Sequence, residues 1–319
     1  MVSLTPVSLP CGFMSTEPVY TWEVDWDSEE LSNFRGHWDD LYNIGYAGTR
    51  GAVNAVRAWL DATDNVNEAD HVGCPVLYRV ASSHHKSSAR GQVRVMQMLL
   101  ERGADPSLGQ NTSSPLHAVL MFIDSEWDVF SSRPRTPDFS DDLARVVADA
   151  TRDKVLLLVN AGADVNARAE YVNNEPHLTA LSLAIGTFPL RLVRPHSLEI
   201  VATLLRAGAS LDSCFGGYSA EECMQREEVE SSRGLSKETW DAGVCADQWN
   251  ACKALIAGLR AAGSWKAFER APRKTLIVLR CLHSKGRATT ADPIMKFLCE
   301  LGDNGVVWNV LSYWSARLY

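Results

Sequence analysis

The stretch LLERGADPSLGQNTSSPLHAVL, residues Leu99–Leu120, decides the fold of this chain. It runs from an apolar pair through Gly-Ala-Asp to Ser-Pro-Leu-His. A glycine directly after a helix adopts the left-handed conformation that ends the helix at little cost. Asp105 then favours a tight turn, because its carboxylate accepts hydrogen bonds from nearby backbone amides. Ser114 and Pro115 are typical of the start of the next helix. This order predicts a helix, a turn and a second helix.

The same order recurs along the chain, in copies that close near residues 63, 103, 162, 208 and 263. Gly162–Asn166 reads GADVN, and Gly208–Asp212 reads GASLD. The part that starts a helix returns as Thr179–Ala184, which reads TALSLA. One helix pair cannot bury its own apolar face, so the repeated pairs are expected to stack and to share a continuous core.

This recurring pattern resembles the ankyrin repeat, in which G-x-T-P-L-H-x-A-A is followed by L-L-x-x-G-A-D-x-N. The resemblance covers residues 38 to about 265 and implies an all-α fold, a solenoid of about five stacked helix-turn-helix units. Three positions depart from the pattern: Thr63 replaces a closing glycine, and Tyr78 and Ser182 replace the histidine. The resemblance assigns structural positions of the repeat to Gly103, Gly162, Gly208, Ser114, Pro115, His117 and Thr179.

Residues 1–37 precede the repeats and are expected to form an extended N-terminal arm. Apolar residues at Tyr20, Trp22 and Trp26 alternate with polar ones, which is the period of a strand. We expect this arm to dock on the first repeat unit, and a free segment that binds a partner is the alternative. The segment Glu17–Asp40 holds eight acidic residues and one Arg.

Residues 266–319 follow the repeats and are predicted to form a helical module that caps the open end of the stack. Between residues 266 and 296 there are eight Lys or Arg and two acidic residues. Helices are expected at Lys274–Ser284, Pro293–Leu301 and Val306–Leu318.

The two ends of the chain therefore carry opposite charge. In a five-unit stack they lie tens of ångströms apart, well beyond a Debye length of about 8 Å, and should not pair within one molecule. One hypothesis is that the basic tail binds another copy of the chain or an acidic partner, because its charges alternate with Leu276, Leu279 and Leu282. Solvation of the capping helices is the alternative.

The spacing of the closing positions exceeds the roughly 33 residues of an ankyrin repeat. The excess is assigned to insertions between the two helices of a unit. Long loops on one face of a stack often bind partners, whereas neutral growth is the alternative because surface loops tolerate length. The predicted insertions are Ser82–Arg90, Ile123–Asp141, Gly186–Pro195 and Arg226–Val244.

Composition argues against several classes of function. A net charge of −8 predicts no nucleic-acid partner. No stretch approaches the roughly 20 apolar residues that span a bilayer, so no membrane insertion is expected. The first residues lack a basic cluster, which argues against a secretory signal. The eight cysteines include no C-x-x-C pair, so we expect reduced thiols, no metal site, and an intracellular location that is cytoplasmic or nuclear.

The sequence also lacks a phosphate-binding glycine loop, an H-E-x-x-H motif and a nucleophile elbow. We therefore expect no enzymatic activity and no cofactor. The ankyrin resemblance implies a scaffold that binds one or more proteins without catalysis. Its contacts are expected from the turns and the inner helices, and the candidate binding residues are Gln110, Asn111, Arg168, Tyr171 and Asn173.

Two other functions stay open, an adaptor and a structural subunit of a larger assembly. Ankyrin repeats followed by a short helical module look like the SOCS-box substrate adaptors of cullin-type ubiquitin ligases. Leu279–Leu282 and Gly286–Ala288 are faintly similar to the first helix of that box. Ile277 and Cys281 meet its Leu-x-x-x-Cys spacing, but Lys285 stands where an apolar residue is expected, and the Leu-Pro pair is absent.

Overall fold

A computed structural model of the chain describes residues 39–83, 88–110, 112–121, 142–171, 175–185, 196–234 and 244–300. The protein is mostly helical, which confirms the all-α prediction. Its strands in these ranges form one short antiparallel hairpin. The predicted arm at 1–37 and the predicted helix Val306–Leu318 lie outside the described residues.

The described part of the chain contains twelve helices. They are α1 (Asp39–Thr49), α2 (Val53–Ala62), α3 (Val76–Ala81), α4 (Ala89–Glu101), α5 (Pro115–Met121), α6 (Asp142–Asn160), α7 (Ala180–Ile185), α8 (Ser197–Arg206), α9 (Ala220–Gly234), α10 (Val244–Ala262), α11 (Trp265–Ser284) and α12 (Pro293–Glu300). The hairpin consists of β1 (Ala169–Tyr171) and β2 (Glu175–Leu178), and it lies between α6 and α7.

The first ten helices pack in two rows. In one row α1, α3, α5, α7 and α9 each contact the next, and in the other row α2, α4, α6, α8 and α10 do the same. Each helix of the first row also contacts the helix that follows it in the chain, so the two rows form five pairs. Helix α11 then packs on α10, and α12 packs on α11.

One continuous apolar core runs through the helix pairs. Helix α3 shows how the short first-row helices contribute, because five of its six residues are buried. In the longer second-row helices only one face is buried: Leu99 and Leu158 are fully buried, whereas Leu100 and Val159 are half-buried. The apolar pair of each repeat therefore anchors its helix in the core, as the sequence predicts.

The closing glycines have the predicted left-handed backbone. The φ angles are 87° at Gly103, 89° at Gly162, 96° at Gly208 and 76° at Gly263. The amide after the glycine bonds back to the helix, as in the 3.0 Å bond from the Ala163 N–H to the Leu158 carbonyl. The same bond is 2.9 Å long in two other units, from the Ala104 N–H to the Leu99 carbonyl and from the Ala209 N–H to the Leu204 carbonyl.

Thr63 ends its helix differently. Its φ of −93° lies in the extended region, so the first unit closes without a left-handed residue. The Thr63 N–H still donates to the Trp59 carbonyl at 2.9 Å, and its hydroxyl accepts from the Asn65 N–H at 3.2 Å. The hydroxyl therefore starts the turn in place of a glycine.

Replacing Gly162 with valine should lower the free energy of unfolding by roughly 1–3 kcal/mol, because a β-branched residue resists a positive φ. A side-chain carbon added at Gly162 meets no atom within 4 Å, so the cost is backbone strain and not a clash. Denaturant unfolding measures this loss. Gly162→Asn is the matched control and should lose much less, since asparagine tolerates this conformation. Equal losses for the two variants would contradict the explanation.

Two predicted boundaries were wrong. Helix α11 begins at Trp265 and not at Lys274, because the Ser264 hydroxyl accepts from the Ala267 N–H at 3.2 Å and caps it, and Phe268 packs against the core. The fourth predicted insertion is helical up to Gly234 in α9.

Contacts along α9 explain why the helix continues past Arg226. The Arg226 guanidinium lies 4.7 Å from the centre of the Tyr218 ring, and Glu228 accepts from the Trp249 indole at 2.9 Å. The second and third predicted insertions, Ile123–Asp141 and Gly186–Pro195, lie outside the described residues.

A lysine lies in the core between the first three helix pairs. Lys154 of α6 is 1% exposed, and its Nζ donates to the Val80 carbonyl at 3.2 Å, to the Ser83 carbonyl, and to Oε1 of Gln92 at 2.8 Å. The Gln92 amide in turn donates to the Thr49 carbonyl at 2.7 Å. Burial lowers the pKa of Lys154 to about 7, whereas three acceptors match the three N–H donors of an ammonium and favour the charged form.

Candidate protein-binding surface

The turns that connect successive helix pairs lie side by side and form a row. We call them turn 1 (63–75), turn 2 (103–114), turn 3 (162–179) and turn 4 (208–219), and together the turn row. Turn 3 contains the β hairpin. Hydrogen bonds join each described turn to the next, and these bonds set the geometry of the surface.

Two asparagines join neighbouring turns in the same way. The Asn67 amide donates to the Gly103 carbonyl at 3.3 Å, and its Oδ1 accepts from the Asp105 N–H at 2.8 Å. Asn166 repeats this with the Gly208 carbonyl at 3.0 Å and the Ser210 N–H at 2.8 Å. The last residue of the closing pattern therefore binds the backbone of the following unit, so the pattern holds neighbouring units in register.

His117 joins turn 2 to turn 3. Its Nε2 lies 3.1 Å from the Ala167 carbonyl, which can only accept, so Nε2 carries the proton and Nδ1 accepts from the Ser114 hydroxyl at 2.8 Å. Burial lowers the pKa of His117, and hydrogen bonds to the Ala167 and Leu178 carbonyls oppose that shift in part. A buried neutral imidazole with both nitrogens in use is a structural group.

Thr179 and Ser182 replace that arrangement in the next unit. The Thr179 hydroxyl donates to the Cys214 carbonyl in turn 4 at 2.9 Å. The shorter Ser182 side chain stays within its own turn and donates to the Thr179 carbonyl at 2.7 Å. The bond to the next unit is therefore made by the threonine here, whereas the histidine makes it one unit earlier. Pro115, the remaining predicted structural position, is buried at the first residue of α5.

Asp70 holds turn 1. Its Oδ1 accepts from the Val72 and Cys74 amides, each at 3.0 Å, and its Oδ2 pairs with the Arg79 guanidinium. Burial acts to raise the pKa of Asp70, but the hydrogen bonds from Cys74 and Arg79 outweigh it, and the pKa lies below its usual value. The carboxylate is therefore ionised at neutral pH and fixes the backbone on both sides of the turn tip.

The predicted binding residues have different positions in the turn row. The half-buried Gln110 donates its amide to the Val72 carbonyl at 3.2 Å, and the exposed Arg168 donates to the Ser213 hydroxyl at 2.9 Å. Both side chains thus join neighbouring turns. Tyr171 is the last residue of β1, where its backbone pairs with Glu175. Asn111 and Asn173 lie outside the described residues.

Sequence reasoning missed the apolar residues at the turn tips. Val72 in turn 1 is 48% exposed, Leu108 in turn 2 is 41% exposed, and Tyr218 in turn 4 is 41% exposed. Each has a glycine as a direct neighbour in the sequence, at positions 73, 109 and 217. The signal available in the sequence was a large apolar residue next to a glycine within a polar turn. Such a residue lies outside the helices, so the helix cores do not account for it.

The described residues contain a pocket of about 350 Å³ between α2 and α4. Its charged lining includes Arg57, Arg94 and Arg102 beside Glu101, and no Ser, Cys, His or Lys contributes to it. No group of His, Cys, Asp or Glu in the described ranges could hold a metal ion, and no helix there is long and apolar enough to cross a membrane.

Comparison of the chain with models of known protein families gave no match, and comparison with curated proteins gave none either.

Proposed function

We propose that this protein is a non-catalytic scaffold of the ankyrin-repeat type that binds another protein through its turn row. Five helix pairs in two rows, four of them closed by left-handed glycines, support the ankyrin-type solenoid, and so do the bonds of Asn67 and Asn166 between neighbouring units. The helical module after the fifth pair acts as its cap. A stack of this kind offers an extended surface, and turns on one side of it are suited to contact a partner.

The observation that carries the proposal is the set of exposed apolar tips at Val72, Leu108 and Tyr218. They project from turns whose backbones are already bonded to one another, so little conformational entropy is lost when a partner binds. Aromatic and aliphatic side chains on such a rigid frame are typical anchors of protein interfaces. The bond from Gln110 to the Val72 carbonyl positions that tip, so Gln110 acts indirectly, and Arg168 joins turn 3 to turn 4 through the Ser213 hydroxyl.

The proposal predicts that Leu108→Glu combined with Tyr218→Glu lowers partner binding at least about tenfold, because anchors of this kind contribute about 2 kcal/mol or more each. Partners are found by proximity labelling with the unmodified chain, and binding of the purified partner is then titrated. Val229→Glu is the matched control, since Val229 is 46% exposed but lies on α9 outside the turn row. Equal binding by the turn variant and the unmodified chain would refute the proposal.

The same labelling experiment separates the other two functions. Recovery of elongin and a cullin, lost when residues 266–319 are removed, would select the ubiquitin-ligase adaptor. Constant stoichiometric purification with one complex would select the structural subunit. In both cases the turn variant still tests whether the turn row makes the contact.

A further inference from the structure

Helix α11 has a basic side that no other described element covers. Lys266, Arg270, Lys274, Ile277 and Cys281 follow one another at steps of three or four residues, so they share one side of the helix. The three cations and Cys281 are exposed, and Ile277 is 50% exposed. Lys285 and the half-buried Arg273 extend the cationic part of this side, which we call the basic face.

The charges of the basic face are not neutralised by described residues. Within the described ranges Arg270, Arg273 and Lys274 form no ion pair. The nearest acid in the sequence, Glu269, accepts instead from the Trp265 indole at 2.7 Å and lies 4.0 Å from Arg206 of α8. Among the described residues the basic face is therefore a cationic strip without a compensating acid, on a chain whose net charge is −8.

The opposite side of α11 is used for packing. Leu276 is buried against Leu298 of α12, and Phe268 packs against the main core. Leu276, one of the three leucines named in the sequence hypothesis, is therefore a packing residue and does not contribute to the exposed surface. The apolar residues that lie beside the cations at the surface are Ile277 and Val278, each 50% exposed.

We propose that the basic face binds the acidic segment Glu17–Asp40 of a second copy of this chain. That segment carries eight acidic residues and one Arg, with Tyr20, Trp22 and Trp26 among them. Acidic residues match the cations, and aromatic rings match both the aliphatic pair and the guanidinium groups of the basic face. A surface of cations with only two aliphatic residues fits an acidic peptide better than a membrane, which requires a wide apolar side.

The fold favours a second copy over the same copy. The acidic segment ends in α1, which packs with α2, α3 and α4, whereas α11 packs with α10 and α12. The described end of the segment, in α1, and the basic face are thus at opposite ends of the two helix rows. A contact between unlike ends of two copies is heterologous and leaves a free end on each side, so it can continue into longer assemblies.

Sedimentation velocity of the full chain over a range of concentrations tests this inference. We expect association at about 50 mM salt that weakens at least about tenfold at about 0.5 M salt, because screening removes the attraction. Arg270→Glu with Lys274→Glu should weaken it at least about tenfold as well. The matched control is Arg57→Glu with Arg94→Glu, the same change of charge at exposed positions of α2 and α4, which should leave association intact.

A synthetic peptide of residues 17–40 provides a second measurement that does not depend on the oligomer. It should bind the unmodified chain in fluorescence anisotropy, compete with self-association, and lose affinity for the Arg270→Glu, Lys274→Glu variant alone. Three results would overturn the inference: a monomer at every concentration, equal peptide binding by both charge variants, or binding of phosphatidylserine vesicles or duplex DNA to the basic face without binding of the peptide.

Discussion

Replacing Lys154 with methionine is expected to lower the free energy of unfolding by about 3 kcal/mol. Methionine fills most of the same volume but leaves the buried Gln92 Oε1 and the partly buried Ser83 carbonyl without their donor. Each buried acceptor without a partner costs about 1–3 kcal/mol. Urea unfolding followed by circular dichroism measures the loss. Lys253→Met is the matched control, because that lysine is exposed and pairs with Glu228 at the surface, where the loss should be below about 1 kcal/mol.

Comparison of the unmodified chain with the Lys154→Met variant also gives a prediction about the pH dependence of stability. Burial lowers the pKa of Lys154 from 10.5 to about 7 in the folded chain. Between these values the unfolded chain binds a proton that the folded chain does not bind, so stability rises with pH, by at most about 1.4 kcal/mol per pH unit. Below pH 7 both states hold the proton and the slope ends.

The measurement is the difference in unfolding free energy between the unmodified chain and Lys154→Met, taken between about pH 7 and 8.5. Above that range the buried thiols of Cys74 and Cys252 act in the opposite direction on the stability of both proteins, because burial raises their pKa. A difference that stays constant from pH 7 to 8.5 would mean that the three acceptors keep Lys154 charged throughout.

Replacing Asp70 with alanine is expected to lower the free energy of unfolding by roughly 3 kcal/mol. The change leaves Arg79 without its carboxylate and removes the acceptor of the Val72 and Cys74 amides. Breaking a buried ion pair costs about 3–5 kcal/mol, and the partial exposure of Arg79 places this pair at the low end. Thermal or urea unfolding gives the value.

Asp105→Ala is the control for this prediction. Asp105 lies in turn 2, as Asp70 lies in turn 1. Its carboxylate also accepts from a backbone amide, the Ser107 N–H at 2.8 Å, but the side chain is exposed. Its loss should stay near 1 kcal/mol, and a loss as large as that of Asp70→Ala would show that the ion pair contributes little.

Acid should remove the contribution of Asp70 to stability over a defined pH range. Its pKa is lowered by folding, so its contribution to stability is complete above the ordinary value of 3.8 and is lost as pH falls through the lower folded value. The unmodified chain should therefore lose stability below about pH 4 more steeply than Asp70→Asn does. Because Asp70 holds the turn that carries Val72, we also expect the asparagine variant to weaken partner binding.

Local sequence was sufficient to predict the helix ends and turns of the repeating unit. Gly162 follows an apolar pair, and its positive φ is available to glycine at little cost. Asp164 and Asn166 form the turn that follows, with the Asn166 N–H donating to Asp164 Oδ1 at 2.9 Å. These features depend on neighbours in the chain, so their residue types predict them without knowledge of the fold. Thr63 and the early start of α11 show the limit. Thr63 closes its helix with local bonds to Trp59 and Asn65 in place of a glycine, and α11 begins earlier than predicted because Ser264 caps it and Phe268 packs on the core.

The candidate surface could be predicted only in part. Gln110 and Arg168 were correctly placed in turns, but their side chains bond to turn 1 and turn 4, partners about 40 residues away in the chain. Which turn residues point outward depends on how the units dock. The exposure of Val72, Leu108 and Tyr218 therefore emerges only when turns from separate units are brought side by side.

Lys154 marks the division between what sequence determines and what tertiary structure decides. Its spacing from Thr151 and Leu158 puts it on the buried side of α6, and that much follows from the helical period. The acceptors come from the end of α3 and from α4, which sequence distance does not relate to position 154. Sequence determines where backbones turn and which side of a helix is apolar, because those preferences act over a few residues. Tertiary structure decides which polar groups meet inside the protein and which apolar groups stay outside, because burial is a property of the packed assembly of helices.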